Sequence, residues 1–399
     1  MKDIDEKLFT AAEKNCVNTD DGTENSIKVS IICITYNQEK YLRKALDSML
    51  AQVTNFTFEI LLHDDASTDD TVKILHEYEK KYPTIIHVIY ESENQYSKGV
   101  DFVAAMVKEI ANGKYIALCE GDDFWIDDHK LQIQYDAMES HSECDMCACW
   151  GCTVTEDGMN IVSDIRPKEH DCILPTEDII KGGGQYLVTA GLFYRKHMYD
   201  KMLPFEKVIP LDYAHQIKGS LRGGIFYIDR KMAAYRRYAG GSWTNNVLKN
   251  KERLNVQWSK EIALLKQLDI DTNGKYHVAI TERLKSYIPF EEQLEEHADE
   301  IQRVLENLSG KFFIWGRGRR GGSLEEYCRK YQIKISGICD VINTNIGTVS
   351  DAGNVIFATD EVKKTADVIL ASNRFAYDDL IKENLSAIVL DFEQYMPWG

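Results

Sequence analysis

The sequence predicts an α/β protein: a mainly parallel central sheet, then a helical connector, then a smaller second α/β unit. Three observations carry this. From Lys28 to Glu120, apolar β-branched runs alternate with amphipathic segments, the pattern of parallel strands joined by crossover helices. The acidic pairs Asp64–Asp65 and Asp122–Asp123 close two of those strands, at the ends where such sheets bind ligands. After Lys311 a second alternating unit opens on a glycine-rich strand-to-helix turn.

Residues 1–27 form a polar lead-in with the turn-prone run NTDDGTENS. VSIICITY, from Val29, reads as a strand buried on both faces, because its apolar run leaves no polar face. Glu39 to Gln52 reads as a helix, with Tyr41, Leu42, Ala45, Leu46, Met49 and Leu50 in one stripe. FEILLHDD is the second strand. Thr68 to Lys81 is a helix opened by a Ser/Thr/Asp-rich cap. IIHVIY is the third strand, Phe102 to Asn112 a helix, and Lys114 to Glu120 the fourth strand. Beyond Tyr186, YLVTAGLFYR and GGIFYIDRKMAAYRRY each hold a strand. Residues 245–308 are polar and helix-rich, with Leu254, Trp258, Ile262 and Leu265 at helical spacing, and form the connector. In 309–399, KFFIWGRGRRGG, KISGICD, VIFA, DVILAS and AIVLDF build the second unit.

The 399 residues give room for two or three cores. The net charge of -17 excludes nonspecific nucleic-acid binding. No stretch is apolar enough to span a bilayer, and MKDIDEKLFTAAEKN lacks a signal peptide's apolar core. The expectation is a cytoplasmic protein with reduced cysteines, peripheral membrane association staying open. Cys144, Cys147, Cys149 and Cys152 have two readings: a zinc site, or a cysteine-rich strand through Met146 to Trp150. One extended segment can hardly converge four ligands on one ion, which favours the strand.

Four segments in order, VSIICITYNQEKYL, EILLHDDASTDDT, ENQYSKG and GKYIALCEGDDFW, resemble family 2 of the inverting glycosyltransferases. With TAGLFYR, IPLDYAHQ, GGIFYID and YRRYAGGSW, the resemblance runs from Lys28 to Thr244 and sets a first domain of 28–244. It implies a GT-A type nucleotide-diphospho-sugar transferase domain. The implied reaction moves a hexosyl group, with inversion, from a nucleotide-diphosphate donor to a hydroxyl of a glycan or glycolipid in surface polysaccharide assembly. It also implies Mn²⁺ or Mg²⁺. The chemistry asks for such a cation independently, because the leaving diphosphate gains negative charge. Hard divalent ions prefer oxygen ligands, and Glu120, Asp122 and Asp123 supply carboxylates at a strand end.

By the resemblance, Asp123 is a metal ligand and Asp122 is shared between ribose and metal. Thr35, Tyr36, Asn37 and Asp65 hold the base. A carboxylate suits a pyrimidine N–H, so Asp65 points to uracil or thymine, and the expected donor is a UDP-sugar. Glu39 has two readings, a donor contact or a helix N-terminal acid favoured by the dipole. Lys98, with Gly99, lines the donor site as a phosphate partner, or is a solvated lysine. Asp64, Ser67 and Thr68 read as structural, the last two as caps. Inversion needs one general base. Asp212 stands at the family's position for it, and also reads as a helix N-cap. Tyr238 stands where histidine is frequent in the family, so Arg236 or Arg237 takes the diphosphate contact. GGSW beyond them suits a lid.

In the second unit, Gly316, Gly318 and Gly321 give GxGxxG between a strand and a helix, and Asp340 ends the next strand, 24 residues after Gly316. This resembles small Rossmann-like modules. Arg317, Arg319 and Arg320 favour an anion, and a module used only for packing is the other reading. Two rival functions follow: an oxidoreductase binding NAD through this unit, and a non-catalytic scaffold that keeps the transferase fold.

Overall fold

The computed structural model describes residues 26–96, 102–208, 212–237, 239–240, 250–340, 346–350, 352–372, 374–383 and 385–392. The chain divides into two units, Met1–Ile280 and Thr281–Gly399.

In the first, β1 (Val29–Thr35), α1 (Leu42–Leu50), β2 (Phe58–Asp64), α2 (Thr71–Lys81), β3 (Ile86–Tyr90), α3 (Phe102–Glu109) and β4 (Tyr115–Leu118) alternate as the sequence predicts. Then come β5 (Phe124–Trp125), α4 (Lys130–Ser140), β6 (Met146–Val154), β7 (Ile161–Ile165), β8 (Cys172–Leu174) and α5 (Thr176–Gly182). A one-turn 3-10 helix (Thr189–Gly191), β9 (Phe193–Arg195), α6 (Asp212–Ser220), β10 (Ile225–Arg236), α7 (Lys251–Asp271) and α8 (His277–Lys285) follow. The strands lie in the order β3-β2-β1-β4-β9-β6-β10-β5, with β7 on β6 and β8 on β10. The four strands from β3 to β4 are mutually parallel, and β9 is antiparallel to β4 and β6.

The burial pattern explains the parallel half. β1, β2 and β4 are buried almost throughout, as strands covered on both faces must be. α1 buries Leu42, Ala45, Leu46, Met49 and Leu50, the stripe read from spacing, against Val29, Ile31 and Cys33 of β1 and their neighbours. In the order β3-β2-β1-β4, connections run to opposite sides of β1. The crevice beyond the carboxyl ends of β1 and β4 is therefore a topological switch point. Thr35 and Asp122 lie there.

YLVTAGLFYR is strand only from Phe193 to Arg195, because Thr189–Gly191 turns into a 3-10 helix. The cysteine-rich segment is strand, as its geometry favoured. Cys147 and Cys149 join the core beside Met138 and Phe193, whereas Cys152 packs with Phe124, Val154 and Ala234. Burial pushes the Cys144 and Cys149 thiols up to about 11, so thiolate ligands are disfavoured there.

The second unit contains α9 (Phe290–Glu296), α10 (Ala298–Glu306), β11 (Phe312–Trp315), α11 (Arg319–Lys330), β12 (Gly337–Asp340) and β13 (Ile356–Ala358). It ends with α12 (Thr359–Thr365), β14 (Val368–Ala371), α13 (Arg374–Lys382) and β15 (Ile388–Asp391). All five strands are parallel, ordered β13-β12-β11-β14-β15, a doubly wound arrangement. Phe290, Leu294, Ile301 and Leu305 share a core with Phe312, Ile314 and Leu324. Helices that the sequence reads as connector thus cover one face of this sheet.

Candidate active site

The site is built on the turn after β4. Asp123 is buried, and its Oδ1 accepts the Arg236 backbone N–H at 2.8 Å. Its Oδ2 is buried without a hydrogen-bond partner. Asp122 is half-buried and within hydrogen-bonding reach of the Gln38 side chain. Glu120 is reached by solvent, with protein crowding its carboxyl. Burial raises all three carboxyls above their ordinary range. Repulsion adds to it at Glu120, from Asp212, Asp122 and Asp123, and at Asp123, from Asp122 and Asp212. Asp212, distant in sequence, therefore faces the acidic turn. It opens α6 and is half-buried, and its Oδ2 accepts from Thr189 Oγ1 at 2.6 Å.

An orphaned buried carboxylate oxygen beside further carboxylates is a donor set that fits a hard divalent cation. Asp123 and Asp122 would hold it. Asp127, Asp128 and His129 also bring ligand atoms within 4.8 Å of one another. However, Asp127 pairs with Arg230 at 2.5 Å, and Asp128 and His129 bond each other on an exposed turn.

The first two loops are stitched together by residues the resemblance gives to the donor. Asn37, at φ 53°, donates its backbone N–H to Ser67 Oγ at 2.9 Å and accepts from Thr68 N at 2.7 Å. Ser67 bonds Asp64 in turn, so Asp64, Ser67 and Thr68 hold the loop pair rather than cap α2. Glu39 Oε2 accepts from Asp70 N at 2.9 Å and so caps α2, the neighbouring helix rather than its own. Asp65 is buried and accepts the backbone N–H groups of Gln95 at 2.7 Å and Tyr96 at 3.2 Å. Thr35 is buried with its Oγ1 lacking a hydrogen-bond partner, and Tyr36 is exposed.

Arg236 is a strut. Its Nε donates to the Asp122 carbonyl at 2.7 Å and its Nη1 to the Glu156 carbonyl at 2.6 Å, between the rings of Tyr41 and Phe124. Arg236→Ala removes both bonds, which are part-buried, and is expected to destabilise the protein by about 1–3 kcal/mol in urea unfolding. Arg237 is exposed. Lys98, Gly99, Tyr238 and the GGSW segment beyond Gly240 lie outside the described residues. Sequence reasoning missed Gln38, Thr189 and Tyr96. Tyr96 is 59% exposed, and its hydroxyl is held less acidic by burial and then by Glu120 and Asp212. All three lay in quoted motifs, with no role assigned to them.

In the second unit, Gly316 has φ 96° and donates its N–H to the Cys339 carbonyl. Gly318 caps α11, and Asp340 ends β12, largely buried. A Cβ at Gly321 would lie 1.9 Å from the Gly316 carbonyl oxygen. Gly321→Ala is expected to cost about 1–3 kcal/mol in urea unfolding. Gly322→Ala, where a Cβ meets nothing within 4 Å, is expected to be neutral or mildly stabilising.

The chain belongs to glycosyl transferase family 2, whose model matches residues 30–239. The family and the α/β fold read from the motifs are thereby borne out. It is 35% identical over 215 residues to an uncharacterized protein of Mycobacterium tuberculosis, covering 54% of this chain and 60% of that one. The chain thus spans less than two thirds of that relative's length. It is 36% identical over 112 residues to the Escherichia coli UDP-Glc:alpha-D-GlcNAc-diphosphoundecaprenol beta-1,3-glucosyltransferase WfaP, covering 28% of this chain and 41% of that one. Among solved structures it is similar to S. aureus TarS 1-349 in complex with UDP, at 18% identity and TM-score 0.46, over 71% of this chain and 76% of that one. No described helix is long and apolar enough to cross a membrane.

Proposed function

We propose that this protein is an inverting glycosyltransferase that moves a hexosyl group from a UDP-sugar to a hydroxyl of a surface glycan or glycolipid acceptor. The observation that carries this reading is the approach of Asp212 to the turn of Glu120, Asp122 and Asp123. In this reading Asp212 is the general base set beside the carboxylates that take the cation, the arrangement direct displacement requires.

Asp212 takes the proton from the acceptor hydroxyl at Oδ1, the oxygen not engaged by Thr189. The acceptor oxygen bonds to the anomeric carbon as the bond from that carbon to the diphosphate oxygen breaks. A Mn²⁺ or Mg²⁺ held by Asp123 and Asp122 supplies charge neutralisation for the departing UDP. Thr35 and Asp65 face the base, and Asp65 accepts the pyrimidine N–H through lone pairs its two backbone bonds leave open. Asn37 and Glu39 hold the loops that carry these contacts. Arg237 and Tyr36 complete the donor side, while Arg236 fixes the acidic turn. The name of the WfaP relative, with its UDP-glucose donor and lipid-linked acceptor, supports the choice of donor and acceptor class. The glycine turn of the second unit, Gly316, Gly318 and Gly321, serves packing in this reading.

The test is proton NMR of the sugar released from UDP-glucose and UDP-N-acetylglucosamine with Mn²⁺, water acting as acceptor. Initial formation of the β-anomer from these α-linked donors is expected. Initial α-anomer overturns inversion, and release that persists in EDTA overturns the cation requirement.

A further inference from the structure

We propose that Thr189 is a positioning residue that orients Asp212, and that the turn it opens registers the base against the acidic turn. This rests on the reading of Asp212 as general base.

Each residue of the Thr189–Gly191 turn is tied to a different element. Thr189 Oγ1 donates to Asp212 Oδ2 at 2.6 Å. The Ala190 carbonyl accepts from the Trp125 indole N–H at 2.8 Å. The Gly191 carbonyl accepts from Gln134 Nε2 at 2.8 Å. Trp125 stands two residues beyond Asp123 in β5. A chain of direct contacts therefore runs from the cation-binding turn through Trp125 and Ala190 to Thr189 and Asp212.

A buried lysine stiffens that chain. Lys130 is fully buried, and its burial lowers its pKa. No carboxylate pairs with it among the described residues. Its Nζ donates to Gln134 Oε1 at 2.6 Å and lies 4.3 Å from the centre of the Trp125 ring. Because the lysine claims the amide oxygen, the Gln134 NH₂ must face Gly191. The turn also sits hard on β6: a Cβ at Gly191 would lie 3.0 Å from Cys149 Sγ, and 2.7 Å from Cγ1 of Val188, the residue that leads into the turn. These ties have one consequence for chemistry. In-line displacement tolerates about 1 Å of misplacement at roughly a 100-fold cost in rate. Holding Oδ2 on Thr189 aims Oδ1 at the acceptor.

The test uses the full chain with Thr189→Val, which keeps the shape and removes the hydroxyl, Thr189→Ser, which restores it, and Asp212→Asn. Crystal structures read the Asp212 side chain, and UDP release from UDP-glucose with Mn²⁺ and water as acceptor reads turnover. In Thr189→Val the carboxylate is expected to leave its rotamer. Its kcat is expected to fall about 10–100-fold with KM for UDP-glucose held within about twofold, and Thr189→Ser to recover most of the loss. An unchanged Asp212 rotamer in Thr189→Val overturns the proposal whatever sugar the donor carries. So does unchanged kcat in Thr189→Val while Asp212→Asn has lost turnover. Wild-type turnover in Asp212→Asn overturns the base reading itself, and with it the reason for the tie.

Discussion

Asp212→Asn is expected to lower turnover by about 10²–10⁴-fold, the span of a general base, while Mn²⁺-dependent UDP binding stays within about twofold. The substitution is nearly isosteric. An asparagine Oδ1 turned toward Thr189 still accepts the Thr189 hydroxyl, so α6 keeps its first-turn contact. What is lost is the proton acceptor. The expected pattern is a fall in kcat with an unchanged donor KM, because the base acts only as the acceptor oxygen attacks. UDP release followed with UDP-glucose, beside calorimetry with UDP, separates the two. Unaltered turnover would instead overturn the assignment of Asp212 as the base.

Asp123→Asn is expected to change stability and metal response in opposite directions. In the metal-free protein, burial and the neighbouring Asp122 and Asp212 disfavour the Asp123 carboxylate. An asparagine keeps an acceptor for the Arg236 N–H and directs its NH₂ toward the remaining carboxylates. The metal-free thermal midpoint is expected to rise, by about 2–4 °C for each kcal/mol of repulsion removed. The rise in midpoint that Mn²⁺ gives the wild type is expected to vanish. The pH dependence follows the same logic. Carboxyls whose folded pKa lies above the unfolded one bind more protons when folded. Their contribution therefore weakens as pH climbs from the ordinary carboxylate range through the raised one. In EDTA the wild-type midpoint should fall across that window more steeply than that of Asp123→Asn. Apparent Mn²⁺ affinity should rise over the same window, because the ion displaces those protons.

The parallel half of the first sheet was legible because strands buried on both faces leave continuous apolar runs. The acidic turn was legible because two aspartates and a glutamate close β4. Other features depend on contacts across long sequence separations, which periodicity does not register. Glu39 caps a helix through the Asp70 N–H, 31 residues on, and Thr189 meets Asp212 across 23 residues. β7 was missed because its residues are largely exposed, and β8 because it is three residues long. Arg236 read as a diphosphate contact because an arginine beside a donor site suits an anion. Its confinement comes from β10 running past the acidic turn, where Ala233 and Ala234 pair with β5.

The central claim is that Asp122 and Asp123 form a cation-dependent nucleotide site at the switch point of the first sheet. Its most direct test is calorimetric titration of the full chain with UDP, in Mn²⁺ and then in EDTA, for wild type and Asp123→Ala. Saturable binding to the wild type in Mn²⁺, lost in EDTA and in Asp123→Ala, is the result expected. Equal UDP binding in EDTA, or in Asp123→Ala, would contradict it.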